Sequence, residues 1–166
     1  MRTGHFALPT TNVSNLELRD LDIAPTRDGI DLVGSSNVYG TRLNIAGGGD
    51  DAVVLKSDYS LGVVLQVANV TLEDSSISSN GATALEIGTE TVGDFSNIQF
   101  RNIAVHSAGD GAIGMAVMDG GRVFADRVPK HHNLRRRLTD PVFTLALASL
   151  AAHLAWGGWW AGSETC

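Results

Sequence analysis

The stretch "SNLELRDLDI" (residues 14–23) comes back as "SNVYGTRLNI" (36–45), "ANVTLEDSSI" (68–77) and "SNIQFRNIAV" (96–105). Each copy carries an Asn in second place: Asn15, Asn37, Asn69 and Asn97. An aliphatic residue follows each Asn (Leu16, Val38, Val70, Ile98), and another stands eight residues after it (Ile23, Ile45, Ile77, Val105). A second apolar pair then recurs: Ile30 and Leu32, Val53 and Leu55, Leu85 and Ile87, Ile113 and Met115. Alternation with period two is the pattern of strands. The Asn-to-Asn spacings are 22, 32 and 28 residues. A unit that short cannot bury its own apolar face and must stack on its neighbours, which is the logic of a solenoid. The expected fold is all-β, a right-handed parallel β-helix of about four to five coils over residues 1–128. A β-sandwich is the rival, but hairpin connections do not hold one register through four units. The extra residues, 58–66 and 89–94, are expected to be loops on the side of the stack. The recurring Asn is read as a corner residue, because Asn tolerates the left-handed conformation and stacked amides can hydrogen-bond from coil to coil.

The rest of the composition agrees with this reading. The chain has 166 residues, enough for one domain with a core, with 19 Gly and only 6% aromatics. Its formal net charge is -6, and an acidic body argues against nucleic acid, which needs a basic face. The sole cysteine is Cys166, so no disulfide forms within the chain. The opening "MRTGHFALPT" holds no apolar segment of signal length.

Register places carboxylates together. Thirteen residues after each anchor Asn stand Asp28, Asp50, Ala82 and Asp110, and fourteen after stand Gly29, Asp51, Thr83 and Gly111. Equal register means one column on the outer surface, with coils about 4.8 Å apart. Asp28 is therefore expected beside Asp50 and Asp51, with Asp110 further along the column. Like charges at that range push at least one pKa up, and one protonated carboxyl beside one ionised is what glycosidic cleavage needs. Asp-Gly turn chemistry and calcium binding are the other readings of such residues.

The stretch "TRDGIDLVGSSNV" (26–38), followed by "GGGDDAVVLKS" (47–57), resembles the polygalacturonases of glycoside hydrolase family 28. The family's first motif is N-T-D with G-I-D, and Thr26 to Asp31 stand for it here. Its second is G-D-D with A-I-K-S, matched by Gly49, Asp50 and Asp51 with Val54 to Ser57. The segment "LEIGTET" (85–91) resembles the family's I-G-S-E stretch. The resemblance covers about residues 5–128. It implies a right-handed parallel β-helix that hydrolyses pectin or a related uronic-acid polysaccharide with inversion, with neither cofactor nor metal, outside the cell or in the periplasm. It implies that Asp50 is the general acid and that Asp28 and Asp51 activate the water. Asp31 belongs to the first motif and reads equally as a structural residue. The family's G-H-G is replaced by Ala82, Thr83 and Ala84, and its R-I-K by Gly114, Met115 and Ala116. Lys56, Arg27 and Arg122 are the candidates to meet a substrate carboxylate, with Thr83 and Asp110 completing the substrate-binding set. His106 reads as a solvated turn residue.

After residue 128 the repeat stops. Residues 129–166 contain all three Trp residues and an apolar stretch at 141–160, expected to be helical. It can be read as a marginal membrane span, as an amphipathic cap on the open end of the stack, or as the product of a truncated or frame-shifted gene; the abrupt change favours the last. Open coil ends carry unpaired strand edges and are expected to self-associate. A non-catalytic β-helix or carbohydrate-binding remnant is the alternative to a hydrolase. A polysaccharide lyase, which would need calcium and a basic proton abstractor, comes third.

Overall fold

The computed structural model describes residues 2–124 and the pair Leu145–Ala146. Five short strands form one parallel sheet: β1 (Leu8–Thr11), β3 (Ile30–Val33), β5 (Val53–Ser57), β7 (Leu85–Thr91) and β9 (Ile113–Val117), in that order. Five others form the parallel part of a second sheet: β2 (Ser14–Ile23), β4 (Ser36–Ile45), β6 (Val67–Ser78), β8 (Phe95–Ser107) and β10 (Val123–Phe124). The chain visits the two sheets alternately, and every pairing among these ten strands is parallel. The described part is thus all-β, in an arrangement consistent with a β-helix-like solenoid. Ser14, Ser36, Ala68 and Ser96 lie in one register, as do Ile30, Val53, Leu85 and Ile113. These are the repeats that the sequence displays.

Between the walls, Ile30, Leu32, Val53, Leu55, Leu85 and Ile87 meet Leu43, Ile45, Val70, Leu72, Ile77 and Phe95, all at 2% exposure or less. Burying each such side chain contributes about 1.5–3 kcal/mol.

The corners are set by residues in the left-handed region. Asn15, Asn37, Asn69 and Asn97 have φ between 51° and 59°. Their amides form a ladder: Asn37 donates to Asn15 at 3.2 Å, and Asn69 to Asn37 and Asn97 to Asn69 at 2.9 Å. A second column of corners lies five residues on, at Asp20, Arg42, Asp74 and Asn102, with φ between 47° and 53°. It explains a break in the alternation. In β2 the inward residues are Leu16 and Leu18, then Leu21 and Ile23, and the odd residue in between is taken up by the turn at Asp20. Arg42 is a poor occupant of such a corner, but its guanidinium grips the Asp20 carboxylate one coil below with two hydrogen bonds, of 2.6 and 2.8 Å.

Two expectations are corrected. Residues 58–66 do lie between β5 and β6, but 89–94 is not wholly a loop: Thr89 to Thr91 continue β7. There the ladder shifts, so that Ser57 pairs with Thr91 although Leu55 pairs with Ile87; the added residues are absorbed as a bulge. The expected helix at 141–160 lies outside the described residues except at Leu145–Ala146. Those two form β11, antiparallel to Gln99 and Phe100 of β8. The reason is an open edge: β10 pairs with β8 only at Phe95 and Ser96, and an unpaired row of N–H and C=O groups accepts another strand. The boundary at residue 128 also falls outside the described residues.

The ladder yields a stability prediction. Asn69 both donates and accepts within it. Asn69→Ala loses these bonds and leaves the left-handed corner to a residue that tolerates it less well than Asn, and should cost about 1–3 kcal/mol by urea denaturation. Asn69→Gly should recover the backbone part of that loss.

Candidate active site

Three turns lead into β3, β5 and β7, and backbone bonds hold them at one height per coil. Gly29 N–H donates to Asp51 O at 3.0 Å, Ala52 N–H to Thr83 O at 3.1 Å, and Ala84 N–H to Gly111 O at 3.0 Å. Glycines let the turns approach. A Cβ on Gly81 would stand 2.1 Å from the Gly49 carbonyl oxygen, and one on Gly109 would stand 2.8 Å from the Gly81 carbonyl carbon. Asp50, Ala82 and Asp110 each follow one of these glycines.

The strand register amends the expected alignment. Ile30 pairs with Val53 and Val53 with Leu85. Two residues before each of these come Asp28, Asp51 and Thr83, so Asp28 shares its column with Asp51. Asp50 belongs to the neighbouring column and faces Arg27. The offset arises because the first coil has 15 residues from anchor Asn to strand, Asn15 to Ile30, where the second has 16, Asn37 to Val53.

All seven expected site residues come together at one cleft of about 450 Å3: Asp28, Asp50, Asp51, Lys56, Arg27, Thr83 and Asp110. Arg27 Nη2 donates to Asp50 Oδ2 at 2.7 Å, and its guanidinium lies 5.3 Å from the centre of the Phe6 ring. Lys56 Nζ donates to Asp28 Oδ2 at 3.2 Å and approaches Glu90 at 4.0 Å. Asp51 Oδ1 accepts the Thr83 N–H at 2.9 Å. Arg122 is not part of the cleft lining and pairs with Asp94 at 2.9 Å. His106 is exposed on β8 and also stands outside the lining.

The acids differ in environment. Burial pushes Asp51 up to about 6, aided by the charges of Glu86, Asp50 and Asp28, although the Thr83 N–H works in the opposite direction. Asp31, on β3, is 5% exposed; burial, then the charge of Asp28, pushes it up to about 7. Burial also raises Glu86. For Lys56, burial acts downward but the charges of Asp31 and Asp28 prevail, and the ammonium is raised.

Glu86 and Glu90 also line the cleft and were missed by sequence reasoning. Glu86 had a signal. It stands between the inward-facing Leu85 and Ile87, as Asp31 stands between Ile30 and Leu32, and Asp31, Val54 and Glu86 share one register. Gly114 leaves room for it, since a Cβ there would lie 1.8 Å from Glu86 Oε2. Among the described residues no group of three or more His, Cys, Asp or Glu is placed to hold a metal ion.

No protein-family model, curated protein or solved structure matches this chain.

Asp51 provides a pH test. Its carboxyl ionises near pH 6 in the folded chain and near about 3.9 when unfolded. The folded state therefore holds the proton more tightly, and this contribution to stability is full below about pH 4 and is lost as pH rises through about 6. Urea midpoints taken from pH 4.5 to 7.5 should fall less steeply for Asp51→Asn than for the parent chain.

Proposed function

We propose that this chain is a polygalacturonase-like glycoside hydrolase, which cleaves glycosidic bonds in pectin or a related uronic-acid polysaccharide with inversion. The observation that carries the reading is the meeting of Asp28, Asp50 and Asp51 from successive coils in one open cleft, each with a different partner. Inverting hydrolysis needs an acid on one side of the bond and a carboxylate-held water on the other, about 6.5–9.5 Å apart. Side chains on neighbouring coils can span that distance. The two-sheet parallel architecture supports the finer fold as well, a right-handed parallel β-helix, since crossovers between parallel strands of one sheet are right-handed almost without exception.

Roles follow from the resemblance and the geometry together. Asp28 and Asp51, in one column, hold the attacking water, and Asp50 is the general acid. Arg27 occupies Asp50 in the free chain, at 2.7 Å. A substrate carboxylate draws the guanidinium to itself as a forked pair, and Asp50, released from Arg27, is free to turn to the leaving oxygen. Lys56, Thr83 and Asp110 complete the binding wall. The substrate is an extracellular polymer, so the chain works outside the cell or in the periplasm. The acidic cleft offers nothing to a nucleic acid.

A second reading, a β-helix that binds carbohydrate without cleaving it, is favoured by one observation: the cleft's Arg27 and Lys56 are both already paired with carboxylates there. A reducing-end assay on polygalacturonate separates the two. The hydrolase reading expects new reducing ends, with a loss of about 10²–10⁴-fold in Asp50→Asn. Binding with no new ends would establish the second reading, and an ultraviolet-absorbing unsaturated product would replace both with a lyase.

A further inference from the structure

We propose that Asp31 is a positioning residue: it holds a proton on its own carboxyl and donates it to Asp28, so that the two buried acids act as one singly protonated pair. This rests on the reading of Asp28 as the carboxylate that orients the attacking water.

The starting point is two atoms without partners. Asp28 is 2% exposed and Asp31 5% exposed. Asp28 Oδ2 is taken by Lys56, but Asp28 Oδ1 and Asp31 Oδ1 are buried with no hydrogen-bond donor. Buried polar atoms are seldom left so, and two ionised carboxylates offer each other only acceptors. A single proton resolves both vacancies, because it turns one acceptor into a donor aimed at the other.

Charge leads to the same arrangement. Lys56 on β5 brings one positive charge to two buried acids. Arg27, in the turn before β3, is engaged by Asp50. Asp51, in the turn before β5, adds negative charge, and Glu90 on β7 competes for Lys56 at 4.0 Å. On the other side Asp31 pairs in register with Pro9 of β1, and β1 carries no charge. Both acids ionised would leave an uncompensated buried charge, whereas one proton balances the pair against Lys56. Asp31 is the holder because Asp28 already has the ammonium, and burial with the Asp28 charge pushes Asp31 up to about 7.

The consequence is mechanical. Asp28 is clamped from two sides, by Lys56 on Oδ2 and by the Asp31 hydroxyl on Oδ1. It cannot rotate, and it can only hold a water in the direction of the cleft. Above about pH 7 the shared proton leaves, the two carboxylates repel, and the clamp opens.

The experiment is a carboxyl carbon titration by NMR on the full chain, with Asp28 and Asp31 signals assigned. The expected result is that both signals move together in one step near pH 7, and that this step is absent in Asp31→Asn. Independent steps below pH 5 would overturn the proposal. Should Asp31→Asn fail to fold, the titration of the parent chain decides alone. On polygalacturonate, Asp31→Asn keeps a permanent N–H donor. It should hold kcat near the parent value at pH 5.5 and lose the alkaline fall, whereas Asp31→Leu should lower kcat by about 10–100-fold. If no polysaccharide is cleaved but the joint step is present, the hydrolase reading falls and the shared proton stands.

Discussion

Everything in this structure depends on a fixed vertical step from one coil to the next. Parallel ladders set that step at about 4.8 Å, but ladders alone do not fix which residue stands over which. The corners do. At Asn15, Asn37, Asn69 and Asn97 the backbone enters the left-handed region, and the amides then bond to one another along the stack. A slip of one residue would break that ladder and also turn the inward aliphatics out. Hydrophobic burial and corner geometry thus select the same register, and mutual consistency of this kind is what allows a sequence to specify a single fold.

The site inherits its precision from that register and its tension from its charges. Seven carboxylates, Asp28, Asp31, Asp50, Asp51, Glu86, Glu90 and Asp110, gather at or beside a cleft whose cations are Arg27 and Lys56. Stability alone would not favour such a collection. The raised pKa values of Asp31 and Asp51 are the measure of that cost, and they are also what leaves protons available near neutrality. The backbone bears much of the load. Main-chain bonds hold the turns, and the Thr83 N–H faces Asp51, so the acids are mounted on a frame that does not give way to their repulsion.

Much of this was legible in the chain itself. The four anchor motifs announced the strands, their order and their pairing, because an Asn at a corner and a period of two leave a plain mark. The acids were found by the same arithmetic. What the sequence concealed were departures from the period. The first coil is one residue shorter before its strand, which moves Asp28 from the column of Asp50 to that of Asp51. The corner at Asp20, Arg42, Asp74 and Asn102 shows only as a three-residue gap between apolar positions, and three kinds of side chain fill its four places in no obvious pattern. Glu86 looked like the polar half of an alternating strand. It took the register with Asp31, and the space over Gly114, to show that it belongs to the cleft wall. Leu145 and Ala146 carry no local mark of strand; the open edge of β8 brings them there.

The segment 58–66 leaves the stack between β5 and β6 and returns with the register of Asn37 and Asn69 intact. Closing a longer excursion is entropically cheap, about 0.6 kcal/mol for each doubling. Tyr59, Leu61, Val63 and Val64 on it are exposed and make no demand on the core. Length and decoration can therefore change at the flank while the acids keep their place, so that what surrounds them can be altered without rebuilding what carries them.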